Sequence, residues 1–403
     1  MKRIFRFASL LMSAVMLLSC SGNLDDGDNT GGGSTGGDNN GSGTTGGGST
    51  TPKTLTLSSD KNLIQTFDGD YATLTVMLDG EKITEGVTFF DGQNKVVEIP
   101  DFKFSTSKVG EYTFWANYGT LNTEKVTIKA IDVKIPETPE DPEPDRTDFV
   151  SRVLLTEFTT VGCAACPAMK EILHDLAADD LGGSVVFTEC HSGLVGGVAD
   201  PCYLHDNAFE EFCMTNSFPD VKLGLDKTLT LRDELKPIIR DLLAAQEDLA
   251  PGIAVNSTLK DDKIVAKVTV KAQVSSSYRV GAFLLEDGIE AKQTNATASW
   301  MNTHDNVIRY VDAAYKTSYY GHPVAEIKAG ETADIMFSWI LDDIWEYGSE
   351  KGEINGGIKW PERNNDKLHV AFFVSMSDGE GGYVIVNALD CRNLNGETPF
   401  EYR

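Results

Sequence analysis

Two cysteines three residues apart carry the strongest chemical signal in this chain. Cys163-Ala164-Ala165-Cys166 follows the apolar run Val153-Leu154-Leu155. It precedes Pro167 and the helical spacing of Met169, Ile172, Leu173 and Leu176. That places the pair between a strand and the first turn of a helix. There the first thiol lies near backbone N–H groups that have no helical partner and near the positive end of the helix dipole. Both favour thiolate, the attacking form of the sulfur. The second cysteine, one turn along, can close a disulfide. Pro167 is tolerated because a first-turn residue needs no N–H.

Three chemistries fit the pair: a redox-active dithiol, a permanently oxidised staple, or half of a zinc site. Zinc needs two further ligands, and there is no second CxxC. His191, beside Cys190, is the nearest candidate, and no metal or other cofactor is expected. Two other residues sharpen the redox reading. Glu157 lies on the strand leading into the site, where a carboxylate can take the proton of the resolving cysteine; the alternative is a solvated strand-end acid. Phe218-Pro219 precedes the candidate strand Val221–Leu225. A cis proline there would present backbone to a bound peptide; the alternative is an ordinary trans turn.

The remaining cysteines set the compartment. Leu17-Leu18-Ser19-Cys20 ends a short apolar run preceded by Lys2, Arg3 and Arg6, and it resembles a bacterial lipobox. Lipidation of Cys20 leaves an even set, so Cys190, Cys202, Cys213 and Cys391 are expected in structural disulfides, with pairing undetermined. The alternative is an ordinary signal peptide with a chance cysteine. Asp25, Asp26 and Asp28 follow, like the surface-export signal of Bacteroidetes lipoproteins. The acids could also merely solvate a tether. The expected localisation is the outer membrane, anchored by lipid alone and exposed at the surface.

The elements that position the motif fall into blocks. Residues 1–19 read as signal peptide, and residues 20–52 as a Gly/Ser/Thr-rich tether with a reach of roughly 30 Å. Residues 53–135 alternate, as in Ala72, Leu74, Val76 and Leu78, with Asp-Gly turns between runs. This predicts an immunoglobulin-like β-sandwich without cysteines. Residues 136–148 carry Pro136, Pro139, Pro142 and Pro144 among acids and predict an extended linker. Residues 149–250 alternate strands with helices, an α/β layer. Residues 251–403 predict a second β-rich sandwich, with Ala298–Tyr320 as loop. The fold class is therefore multidomain, α/β plus all-β.

A strand, a CxxC at a helix start, an acid upstream and an X-Pro before a later strand resemble the thioredoxin fold. Closer still, Val153–Pro167 resembles the outer membrane protein 28 related lipoproteins of Bacteroidetes. Val186–His191, Ala282–Gly288, His304–Tyr310 and Val370–Ala388 are similar to that family too. The similarity runs from about Ser151 to the C-terminus and leaves Lys53–Ile135 outside. It implies a thioredoxin-like domain and a β-rich C-terminal domain at the cell envelope, with no settled substrate. Three departures from thioredoxin stand out. Gly162 replaces the aromatic residue usual before the first cysteine. Ala164-Ala165 offers no charge to hold a thiolate. Phe218 and Asp220 flank the proline.

Composition narrows the partners. The chain has 403 residues with 35 basic and 61 acidic side chains, a net charge of -26. Such a surface repels phosphate backbones, which excludes nucleic-acid binding. No P-loop, nucleophile elbow or HExxH helix is present. His304, Asp305 and Arg309, and the aromatics Trp300, Trp339 and Trp345, read as structural. Two functions remain. One is a surface binding or adhesion module on a disulfide-stapled scaffold. The other is thiol–disulfide exchange on envelope or extracellular proteins, with Cys163 attacking, Cys166 resolving, Glu157 relaying a proton and Pro219 shaping the groove.

Overall fold

The computed structural model describes residues 53–193, 195–228, 235–354 and 359–403. Cys20, the signal segment and the tether lie outside the described residues. Among the described residues no helix is long and apolar enough to cross a membrane.

The protein is mostly β-sheet with few helices. Residues 55–131 form two sheets around one apolar core. One pairs Leu55–Ser59 with Ala72–Leu78 and on to Glu81–Ile83; the other runs through Gly110–Tyr118, Val126–Ile131 and Val87–Asp91. Alternation decides which faces meet. Ala72, Leu74 and Val76 are fully buried, whereas Thr73 and Thr75 between them are not. Phe89, Phe114, Ala116 and Ile128 close the same core from the second sheet.

The segment 136–148, expected as a free extended linker, is pinned along the C-terminal sheet. Lys271 is buried, and its ammonium donates to Asp141 Oδ2 and to the Pro144 carbonyl, both at 2.7 Å. Asp141 also accepts from the Tyr402 hydroxyl, and Thr138 donates to Asp334. Acids spaced by prolines thus lie against a buried cation instead of repelling one another in water. Lys271→Met is expected to destabilise the fold by about 1–3 kcal/mol, less than for a fully buried pair because Asp141 keeps some solvent access. It should also open 136–148 to protease; cleavage no faster than in the parent would refute this anchoring.

The chemistry-bearing segment sits in a nine-stranded sheet. Val153–Thr159 pairs in parallel with Val185–His191 and antiparallel with Asp220–Leu223. Val185–His191 is followed across the sheet by Val307–Asp312, Ser276–Glu286, Leu368–Ser377 and Tyr383–Cys391. One sheet therefore crosses the boundary expected between residues 250 and 251. Val307–Asp312 is a strand within the stretch expected as loop.

Parity in these strands assigns the faces. Val153 and Leu155 pack under the helices Cys166–Ala177 and Leu235–Gln246, whereas Leu154 and Phe158 face a second core with Phe209 and Phe283. Further along, Tyr278, Val280, Ala282 and Leu284 meet a separate four-stranded sheet that contains Lys263–Lys271 and Thr332–Ile340. The helix Leu341–Ile354 was not expected in a β-rich region. Its signal is Asp342 and Asp343 in the first turn, with Leu341, Ile344 and Trp345 on one face.

Candidate functional site

Cys163 and Cys166 form a disulfide with a Cα–Cα distance of 5.5 Å. Cys166 opens the helix Cys166–Ala177, with Pro167 in its first turn. The Cys166 N–H donates to Cys163 Sγ at 3.1 Å, a contact that would stabilise a thiolate on Cys163 after reduction. The pair stands past the carboxyl ends of the two parallel strands, where α/β sheets place their ligands. Neither sulfur-bearing residue is open to solvent: Cys163 is 7% exposed and Cys166 1%.

Two loops cover the pair. The Gln293 side-chain amide lies 3.0 Å from the Cys163 carbonyl and 3.3 Å from those of Thr160 and Val161, and Asn295 donates to the Ala164 carbonyl. From the other side Val195 crosses Gly162. A Cβ on Gly162 would stand 2.1 Å from the Val195 carbonyl oxygen, so no larger residue fits there. This gives a physical reason for glycine at that position. Gly162→Ala is expected to cost about 1–3 kcal/mol in denaturant unfolding. It should also speed alkylation of reduced Cys163 by displacing the loop; unchanged stability would show that the loop yields freely.

Glu157 is not a solvated strand-end acid. It is 2% exposed, and its Oε1 has no hydrogen-bond partner among the described residues. It shares a sheet face with Val153 and Leu155, so it points to the side covered by the helix that carries Cys166. Burial, and then the facing carboxylate of Glu189, push its pKa up to about 8. Of these cross-strand partners, Glu157 keeps its proton and Glu189 gives it up. Burial opposes ionisation of Glu189, but Lys170, His191 and His304 outweigh it.

The Phe218–Pro219 peptide is cis. Pro219 precedes Asp220, which pairs with Phe158, so it stands at the end of the sheet from which the loop to Cys163 departs.

No family model and no curated protein matches this chain. Among solved structures, HBP35 of Porphyromonas gingivalis is 18% identical over 61% of this chain and 76% of that chain, with a TM-score of 0.45. A crystal structure of a protein from Agrobacterium tumefaciens is 14% identical over 60% of this chain and 96% of that chain, with a TM-score of 0.37.

The expectation of disulfides at the other cysteines needs correction. Cys190, Cys202, Cys213 and Cys391 are buried free thiols. They are divided among separate cores. Cys190 and Cys213 lie in the core with Phe158 and Phe209, Cys202 packs with Ile289 and Val307, and Cys391 packs against the four-stranded sheet. Burial raises all four thiol pKa values, Cys213 to about 12, so they behave as small apolar residues toward oxidants and alkylating agents.

Of the polar residues read as structural, Arg309 is: it is buried and pairs with Glu286 at 2.7 Å. Trp339 packs in the core, while Trp300 stacks on His174 at the surface. His304 belongs instead to a buried polar cluster that the sequence reading did not assemble, with Glu189, His191, Asp200, Cys202 and Lys170, tied to the loop before Cys163 by the Val161 N–H donating to Asp200. The short segment Glu189-Cys190-His191 was its only local signal. Its other members come from separate elements: Lys170 from the helix Cys166–Ala177, His304 from the short strand Thr303–His304, and Asp200 and Cys202 from the loop after His191.

Proposed function

We propose that this protein exchanges thiols and disulfides with proteins of the envelope or extracellular space, through Cys163 and Cys166 on a thioredoxin-like domain. The observation that carries this reading is the disulfide at a helix start past the carboxyl ends of two parallel strands, with a buried carboxyl on the helix-covered face. In the reduced form the Cys163 thiolate attacks a partner's disulfide sulfur. The bond between Cys163 and the partner forms, and the partner's other sulfur leaves as thiolate. Where Glu157 is ionised, a fraction that grows as pH rises toward 8, it takes the proton of Cys166, and the Cys166 thiolate attacks Cys163 Sγ. The disulfide re-forms and the partner leaves with both thiols reduced. The reverse sequence oxidises a partner dithiol.

The test is redox equilibration of the chain truncated before Lys53 in glutathione buffers, followed by alkylation and mass spectrometry. Equilibration of Cys163 and Cys166 while Cys190, Cys202, Cys213 and Cys391 stay unmodified is the expected result. If Cys163 and Cys166 remain oxidised until the protein unfolds, the reading fails.

A second reading has an observation of its own. The burial of both sulfurs favours a stapled scaffold, on which an immunoglobulin-like module and a β-rich region serve surface binding or adhesion. In either case the tether, lipidation at Cys20 and display at the cell surface belong to the proposal.

A further inference from the structure

We propose that His191, Cys202 and His304 form a three-residue binding site for a divalent transition-metal ion with zinc-like ligand preferences, with Glu189 beside the two histidines. All three residues are buried, and one ring nitrogen of each histidine and the Cys202 sulfur lie within 4.8 Å of one another. The donors of a tetrahedral zinc stand roughly 3.3–3.8 Å apart, given Zn–N and Zn–S bonds of about 2.0–2.3 Å. A contraction of up to about 1 Å brings these three donors to that spacing and leaves the fourth position to Glu189 or to a solvent molecule.

The outward-facing nitrogens decide which atoms point inward. His304 Nε2 lies 3.2 Å from the Ala291 carbonyl, which only accepts, so Nε2 carries the proton and Nδ1 offers a lone pair. His191 Nδ1 lies 2.8 Å from Asp200 Oδ2, which turns Nε2 inward. A carbonyl behind one histidine and a carboxylate behind the other are the partners that orient metal-bound imidazoles. Both inward nitrogens converge on Glu189 Oε2, at 3.1 Å from His191 Nε2 and 3.7 Å from His304 Nδ1.

A cation already stands at this point. The Lys170 ammonium is 3.1 Å from His304 Nδ1 and 3.8 Å from Glu189 Oε1. Its long stem is partly exposed and can withdraw toward solvent. Charge is conserved on binding: a divalent ion takes the place of two protons, those of His191 and Cys202, beside the carboxylates of Glu189 and Asp200. On binding, the proton between His191 Nε2 and Glu189 and the thiol proton of Cys202 pass to solvent, and no electrons move. Asp200 would link the ion to the redox loop, because Oδ2 also accepts from the Val161 N–H and Oδ1 from the Cys202 N–H.

The test uses the full chain, stripped with chelator and with Cys163–Cys166 left oxidised, titrated with Co²⁺ and then Zn²⁺. The expected result is one ion per chain, with visible absorption from thiolate-ligated tetrahedral cobalt that Zn²⁺ bleaches. Cys202→Ser should lose the thiolate band, and His304→Gln should weaken binding about 10-fold to 100-fold or more. Lys170→Met, which removes the competing ammonium, should tighten binding about threefold to tenfold. His174→Gln, at an exposed histidine outside the cluster, should leave the titration unchanged. No retained metal in the parent, a cobalt spectrum without thiolate character, or equal affinity in parent and His304→Gln would overturn the site. If Cys202→Ser fails to fold, an unchanged affinity in Lys170→Met would overturn it as well.

Discussion

Cys163→Ser is expected to abolish exchange with a disulfide-bonded protein while leaving the fold intact, and Cys166→Ser to accumulate a stable mixed disulfide with the same substrate. The two variants separate the roles because the attacking and resolving sulfurs are distinct. Cys163 receives the Cys166 N–H, whereas Cys166 is the more deeply buried. Without Cys166 the intermediate has no internal nucleophile to release it, so its lifetime should lengthen by orders of magnitude. Non-reducing gels with mass spectrometry of the trapped adduct read this directly. If neither variant differs from the parent, or Cys163→Ser traps adducts as well as Cys166→Ser, the assignment is wrong. Loss of the staple is a separate effect. By the chain-entropy relation a loop this short should give about 1.5–2 kcal/mol, somewhat over half of the roughly 3 kcal/mol attributed to a 15-residue loop. Both serine variants should therefore remain folded at ambient temperature.

The cover over the pair bears on rate more than on chemistry. Gln293, Asn295 and the Val195 carbonyl close the loop around Gly162 and Cys163. A partner must displace one of these segments, so the observed rate contains an opening step. Of the two, Val195 is held to its neighbours by a turn, with Val198 N–H donating to its carbonyl, whereas the Gln293 amide engages three carbonyls. The Val195 side is therefore the easier one to open. The same geometry supports the binding reading if opening is too rare to matter, and the rate measurement distinguishes the two.

Local pattern carried the elements of the site into view from the sequence: the buried strand at Val153, the helix after Cys163 and the acid at Glu157. What pattern could not supply was the company these residues keep. The expectation of a separate C-terminal domain failed because Val307–Asp312 pairs with Val185–His191 of the CxxC segment and Ser276–Glu286 pairs in turn with Val307–Asp312, and strand order in a sheet has no local signature. His304 was legible as a polar residue but not as a neighbour of His191, since a long stretch of chain separates them. Even-numbered cysteines suggested disulfides, yet burial in separate apolar cores keeps most of them apart. The Pro/acid segment suggested a free spacer because the buried ammonium of Lys271 lies in a different block of sequence.

Glu157→Gln tests the site by a different route, through pH, with chelator present so that metal does not intervene. The Glu157 carboxyl has a pKa of about 8 in the fold against 4.5 for an unperturbed glutamate. A raised carboxyl pKa means that the folded protein binds the proton more tightly than the unfolded chain does. Its contribution to stability is whole below about pH 4.5 and is lost as pH rises toward 8. Across that window the parent should lose on the order of a few kcal/mol that the glutamine variant retains. Denaturant midpoints of the two proteins should therefore lie close together at pH 5 and diverge by pH 9, with the variant the more stable. Parallel curves would mean that Glu157 titrates normally. Catalysis should move the opposite way. Glutamine cannot accept a proton, so resolution by Cys166 should slow by about 10²-fold or more and lose its inflection near the carboxyl's pKa. A variant that gains stability at high pH and keeps the parent's resolution rate would leave Glu157 as a buried acid with no part in exchange.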